Sequence, residues 1–276
     1  IKGLQNYLEK PIFRGHVEQD LALGPQITAL NLCSYRDFYP KVVNDNYKGN
    51  FFIFRMPEKD KQYYLGADVA EGKQISVQGR NDPDWSVIWV LDEYGRSVAY
   101  FRDRILPEDF AYYIALVGVF YNTALVNCER NKDGATVWSW FKHIGYSNNY
   151  YRETERGKIE DLAWSLIGPA GRKPLLNNGR ASLRKDPSRA RAQILVQELD
   201  SLVRDSKGKI EPFGNHDDCF LAYCHAETCR VGLTGRAIVE SLPEDEEEDL
   251  PWNSAELLFK DNGLDVLWPE DIRDAI

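Results

Sequence analysis

"YYLGADVAEG", residues 63–72, is the stretch on which the reading of the fold turns. Tyr63, Tyr64 and Leu65 form an apolar run that reads as buried strand, and the run delivers the chain to a carboxylate, Asp68. An aspartate at a strand end is ordinarily a turn residue, because its side chain bonds the backbone that follows. It acquires another meaning if further carboxylates converge on the same point. The sequence on either side therefore has to say whether partners exist and where the chain would put them.

Downstream, the pattern becomes regular. Residues 62–69, 85–92 and 96–103 are rich in Tyr, Val, Ile and Trp and are bounded by Gly, Asp and Asn, the signature of strands. "LDEYGRSV" joins the last two as a hairpin. Residues 107–122 read as a helix with Pro107 at its start and acids in its first turn. Residues 123–131 read as a short buried strand, and 133–145 as a helix closed by Gly145. A helix is expected over 187–205 from its apolar face (Ile194, Leu195, Leu199, Leu202, Val203), then a loop with Gly208, Pro212 and Gly214. Another helix, 216–229, opens with acids. Upstream, residues 1–60 show no clear period and read as irregular connecting structure. The order predicts an α/β fold: a mixed sheet, an antiparallel three-strand meander plus parallel strands, with helices on both faces.

Composition excludes several classes. The chain has 276 residues, 43% hydrophobic and 28% charged, ordinary for a globular protein. It contains no apolar run long enough to span a membrane, and Glu9, Lys10 and Arg14 break any signal-peptide core. It begins with Ile and its one Met is Met56, which reads as a piece of something longer. Five cysteines without a CxxC pair fit a reducing compartment. Cys219, Cys224, His225 and Cys229 lack zinc-site spacing, since positions 219 and 224 fall on different helix faces. Net charge is −9, against a generic polybasic nucleic-acid binder, yet the charge is uneven. "PEDEEED", 243–249, is strongly acidic, whereas 172–209 is basic.

Asp68 does have candidate partners. Glu129 ends the fourth strand, and Asp217 and Asp218 open the late helix. A right-handed crossover can return that strand beside the first, which would make Asp68 and Glu129 neighbours at one sheet edge. A helix N-terminus carrying Asp217 and Asp218 can close the group. Clustered carboxylates without thiolates suit hard, oxygen-loving ions, here two Mg²⁺ or Mn²⁺. Such a pair activates water and stabilises a leaving phosphate oxygen.

At these residues the chain resembles a family. "YYLGADVAEG", "DPDWSVIWVLD", "YNTALVNCERNKDGATVWSWFKHIGYSNNY" and "GNHDDCFLAYCHA", in that order, resemble the nuclease domain of the large terminase subunit of tailed bacteriophages, an RNase H-like fold. The resemblance covers about residues 62–229. It implies a metal-dependent DNA endonuclease, a hydrolase that cuts concatemeric double-stranded viral DNA during genome packaging. It implies Asp68 as the acid shared between ions, Glu129 as the second ligand, and the Asp217/Asp218 pair as the third, with Asp218 preferred. His216 would orient or handle protons. Asp84 and Ser86, and Asn131 and Gly134, match as architectural positions. Lys173 matches a basic residue of the family, and the basic stretch offers Lys173, Arg180, Arg184, Lys185 and Arg189 as phosphate contacts. The implied partners are double-stranded DNA and, in a motor, the portal, the small terminase subunit and the ATPase domain; the implied location is the cytoplasm of the infected bacterial host. The chain departs from the full-length family in carrying no GxxxxGK[ST] phosphate loop. The expected layout is therefore 1–60 as the end of an ATPase region and linker, 61–235 as the nuclease domain, and 236–276 as an acidic linker and tail. Two other readings stay open: a transposase or junction resolvase on the same fold, and a non-catalytic docking module of a packaging motor.

Overall fold

A computed structural model describes residues 4–26, 34–70, 84–131, 133–153, 159–162, 171–204, 210–212 and 216–232. The acidic linker and tail, Lys207, Lys209, Gly208 and Gly214 lie outside the described residues.

The strands in chain order are β1 (Phe13–Gln19), β2 (Pro40–Asn44), β3 (Phe51–Ile53), β4 (Tyr63–Asp68), β5 (Ser86–Asp92) and β6 (Ser97–Asp103). Helix α1 (Pro107–Phe120), β7 (Leu125–Cys128) and α2 (Asp133–Ile144) follow. Then come β8 (Tyr151–Glu153), β9 (Ile159–Leu162), α3 (Arg172–Lys185), α4 (Gln193–Ser201), β10 (Leu202–Arg204), β11 (Ile210–Pro212) and α5 (Asp218–Val231). Seven strands form one sheet in the order β2-β1-β3-β6-β5-β4-β7, antiparallel except for the β4–β7 pair. The meander β4-β5-β6 and the return of β7 to β4 match the expected topology. Two small hairpins, β8-β9 and β10-β11, stand apart from it.

Residues 1–60 correct the expectation of irregular structure, because β1, β2 and β3 extend the same sheet beyond β6. Their alternation is disguised. In β1 the inward positions Gly15, Val17 and Gln19 include only one aliphatic side chain. Gln19 is tolerated there because its amide donates to Asp37 O at 2.8 Å and accepts from Tyr39 N at 2.8 Å. The helix expected over 187–205 is also corrected. Pro187–Arg189 is a single 3-10 turn, Arg191 takes a positive φ of 34°, and the chain leaves α4 at Ser201 to pair β10 with β11. Helix α3 lies within the segment that reads in sequence only as basic, and its period is not evident there.

The sheet separates two cores. On one side, α1 and α2 pack on Leu65, Ala67, Ile88, Val90, Ala99, Phe101, Val126 and Cys128. On the other, α3, α4 and α5 pack on Val87, Trp89 and Leu91. Burying one such side chain is worth about 1.5–3 kcal/mol, so both sheet faces are strongly committed to their helices. No helix of the described residues is long and apolar enough to cross a membrane.

Candidate metal centre

Alternation along β4 decides where Asp68 points. Leu65 and Ala67 face the α1/α2 core, so Gly66 and Asp68 face α5. Gly66 admits the helix to backbone contact: a Cβ there would lie 2.0 Å from Ala222 O and 2.2 Å from Ala226 N. With α5 seated on β4, its first turn comes up to the end of the strand.

Glu129 arrives by register. In the parallel β4–β7 pair Ala67 is opposite Cys128, and Glu129 N donates to Ala67 O at 3.2 Å. Val126 and Cys128 fill the α1/α2 core while Asn127 turns toward α5, donating to His225 O at 3.0 Å. Glu129 therefore shares the face of Asp68, and their side chains are hydrogen-bonded. Asn131 donates to Glu129 Oε1 at 3.0 Å, and Gly134 lets α2 start against the same turn, where a Cβ would sit 2.0 Å from Glu129 O. Ser86 Oγ accepts the amide of Ala70, fixing the chain just past Asp68.

The Asp217/Asp218 pair, which sequence alone does not split, is split by geometry. Asp217 is the N-cap residue of α5 but makes no capping bond with its side chain, which is instead paired with Arg172 at the start of α3. Asp218 Oδ2 accepts from Trp85 N at 3.0 Å and lies 3.4 Å from His216 Nδ1. The same Nδ1 is 3.1 Å from Asp84 Oδ1. Asp84, His216 and Asp218 each offer one ligand atom, all within 4.8 Å of one another.

These acids repel. Burial pushes the Asp68 carboxyl well above its ordinary range, and the charges of Asp218, Glu129 and Asp217 push it further, against the pull of Arg172. Burial raises Asp218 to about 6, opposed by the Trp85 amide and His216. Glu129 and Asp217 are raised by burial as well, with Asn131 opposing at Glu129 and Arg172 at Asp217. Buried carboxylates with too little positive charge among the described residues to balance them, oxygen-rich and with one imidazole, fit a hard divalent cation.

The structure thus brings Asp68, Glu129, Asp217, Asp218 and His216 to one end of the sheet. The basic residues divide. Lys173 adjoins Arg172 at the site end of α3. Arg180 lies partway along, near Cys224. Lys185 and Arg189 lie beside Arg230 and Glu227 in the last turn of α5, and Arg184 shares that end of α3. Arg189 is also largely buried, donating to Ser182 Oγ at 2.7 Å and pairing with Glu227 at 3.5 Å. Arg184, Lys185 and Arg189 are therefore not brought to the site. Sequence reading misses the roles of Arg172 and Asp84. Asp84 reads there as architectural, and its partners stand 132 and more positions away, a proximity no local pattern encodes.

No protein-family model matches the chain, and no curated protein matches it in sequence. Solved structures do. The large terminase nuclease of thermophilic phage G20c with bound magnesium superposes with a TM-score of 0.50 at 18% identity, covering 66% of this chain and 89% of that one. The same nuclease with bound cobalt gives 0.48 at 16% identity, covering 66% and 89%. The large terminase nuclease domain of Thermus phage P74-26 gives 0.47 at 18% identity, covering 66% and 86%. The chain shares the RNase H-like fold of the magnesium-bound nuclease.

Proposed function

We propose that this chain is a divalent-metal-dependent endonuclease that cuts double-stranded DNA, and that its setting is the cutting of concatemeric DNA during viral genome packaging. One observation carries the reading: Asp68, Glu129 and Asp218, from three separate elements, meet at one end of an RNase H-like sheet, and among the described residues the positive charge beside them does not balance them. The magnesium-bound nuclease of similar fold supports the choice of reaction class. In this reading Asp68, with Glu129 on one side and Asp218, Asp84 and His216 on the other, would hold two divalent ions. Divalent ions bound there supply Lewis-acid stabilisation of phosphate oxygens and a water of lowered pKa.

The chain's own groups prepare that site. Asn131 orients Glu129, the Trp85 amide orients Asp218, and two carboxylates hold His216 at Nδ1. Arg172, bound to Asp217, supplies fixed positive charge at the site's edge. Partners in a packaging motor would be the portal, the small terminase subunit and an ATPase domain, in the cytoplasm of the infected host.

The test is incubation with supercoiled plasmid in Mg²⁺, Mn²⁺ or chelator. Cleavage is expected with either ion and none with chelator. Glu129→Gln keeps the fold and loses cleavage, because an amide cannot supply the negative charge; full cleavage by this variant would sink the assignment. Preference for four-way junctions over linear duplex would favour a resolvase, and no cleavage with any ion a docking role.

A further inference from the structure

Helix α5 brings Asp217 and Asp218 to the centre at its start, and its first turn is capped from another helix. Asp217 holds the N-cap position, where an aspartate ordinarily accepts the backbone N–H two or three residues on. Its side chain makes no such bond and is paired with Arg172 instead. Phe220, three residues past Asp217, donates its N–H to Glu198 Oε2 at 2.9 Å. Glu198 stands on α4, 22 positions away in the chain. It satisfies one of the helix-end donors that the N-cap side chain leaves over.

Glu198 is an uncomfortable residue where it stands. It is only 4% exposed, on the helix whose Leu195, Val196 and Leu199 enter the second core with Phe220. Its other oxygen, Oε1, is buried with no hydrogen-bond partner among the described residues. A half-satisfied buried carboxyl costs stability that an apolar side chain of the same length does not. The bond it does make holds the start of α5.

We propose that Glu198 is a positioning residue for the metal centre: by capping α5 from α4 it fixes the first turn and leaves the Asp217 carboxylate out of the cap, so that Asp218 is held against Asp68; this rests on the nuclease reading above. Asp218 is the first residue of the helix, two before Phe220. The Trp85 amide holds its carboxylate at 3.0 Å, and Glu198 holds the turn that carries it. Without Glu198 the Phe220 amide is left to the Asp217 side chain, and taking it draws Asp217 off Arg172 and shifts the helix start. Burial raises Glu198 to about 8, so at neutral pH it offers α5 an oxygen without a further negative charge beside Asp218.

The experiment uses the full chain and Mn²⁺, without DNA. Affinity for Mn²⁺ is measured by titration calorimetry, and hydrogen exchange at the Phe220 amide is followed in chelator. Glu198→Met keeps the length and removes the acceptor; Glu198→Gln keeps an oxygen. The Met variant is expected to bind Mn²⁺ about tenfold more weakly, the size seen when groups that orient metal ligands are removed, and to exchange the Phe220 amide faster. The Gln variant is expected to match the parent in both. Should Glu198→Met not fold, Glu198→Asp takes its place, since it withdraws the carboxyl from Phe220 by one methylene, and the same loss is expected. A variant without the bond that melts lower but binds Mn²⁺ as the parent does overturns the proposal, because the cap is then structural only. An equal loss of affinity in Glu198→Gln overturns it as well, because the acceptor is still there. Either result leaves the nuclease reading standing. A parent that binds no Mn²⁺ overturns both.

Discussion

At the scale of residues, the centre is a collection of acids held where their charges are costly. Asp68 has its carboxyl pushed up by burial and by Asp218, Glu129 and Asp217. A carboxyl whose pKa is raised on folding destabilises the native state increasingly as pH climbs above its unfolded value. Asp68→Asn removes that cost, so in chelator at pH 8 the variant should melt at a higher temperature than the parent. The parent should gain stability from Mn²⁺, about 2.7 kcal/mol at a hundred times Kd, and the variant should lose most of that gain. Calorimetric scans with and without the ion check both; a variant less stable in chelator would contradict the repulsion argument. Glu198 carries the same sign on a separate footing. Burial raises it from 4.5 to about 8, and one oxygen accepts from Phe220 N at 2.9 Å. The native state then binds a proton that the unfolded chain has released, so this group lowers stability as pH rises from 4.5 to about 8. Glu198→Gln should flatten that decline and stabilise the protein at pH 8.5 by a few kcal/mol, since each pH unit across the window costs the parent about 1.4 kcal/mol. Urea titrations across the window measure it.

At the scale of elements, the decisive contact is α5 against β4. The helix runs over Gly66 at backbone distance, and the same seating brings Asp217 and Asp218 to Asp68. Gly66→Ala would drive a methyl group into Ala222 O and Ala226 N, neither of which is a flexible side-chain end. A cost of about 3 kcal/mol is expected in urea unfolding, since overpacking against fixed neighbours falls at the upper end of its usual range. Cleavage should fall further than stability explains, because the first turn of α5 moves with the helix. A variant of parental stability and activity would show that α5 is free to shift.

At the scale of the whole molecule, the sheet sorts its charges by end. The acids, Arg172 and Lys173 occupy the Asp68 end, while Lys185 and Arg189 crowd Glu227 and Arg230 at the far end of α5. The fourteen residues of α5 span about 20 Å, beyond the Debye length of about 8 Å at physiological salt. Neutralising Arg184 and Lys185 together should therefore leave plasmid cleavage within about twofold of the parent at 0.15 M salt. Lys173→Glu, beside the site, should lower it clearly. Comparable losses from both would mean that DNA runs the length of the α3–α5 face.

How much of this was legible in the chain follows the range of the interactions. Strand and helix periods are local, so β4 to β7, α1, α2 and α5 were readable, and the crossover rule then paired β4 with β7. Asp68, Glu129 and the Asp217/Asp218 pair were readable as element ends for the same reason. The strands β1 to β3 were not, because Gly15 and Gln19 occupy inward positions and their compensation is tertiary. Nor was α4's early end, where Leu202 and Val203 continue a helical apolar pattern but the chain instead pairs β10 with β11. The division of labour between Asp217 and Asp218 depends on Arg172 and Trp85, and Arg172 stands 45 positions from its partner, Trp85 133. Sequence determined which acids were available and which elements carried them. Tertiary structure decided which acid faces a cation, which joins Asp84 and His216, and which arginines lie beside them, because charge acts through space and the chain folds distant positions into its range.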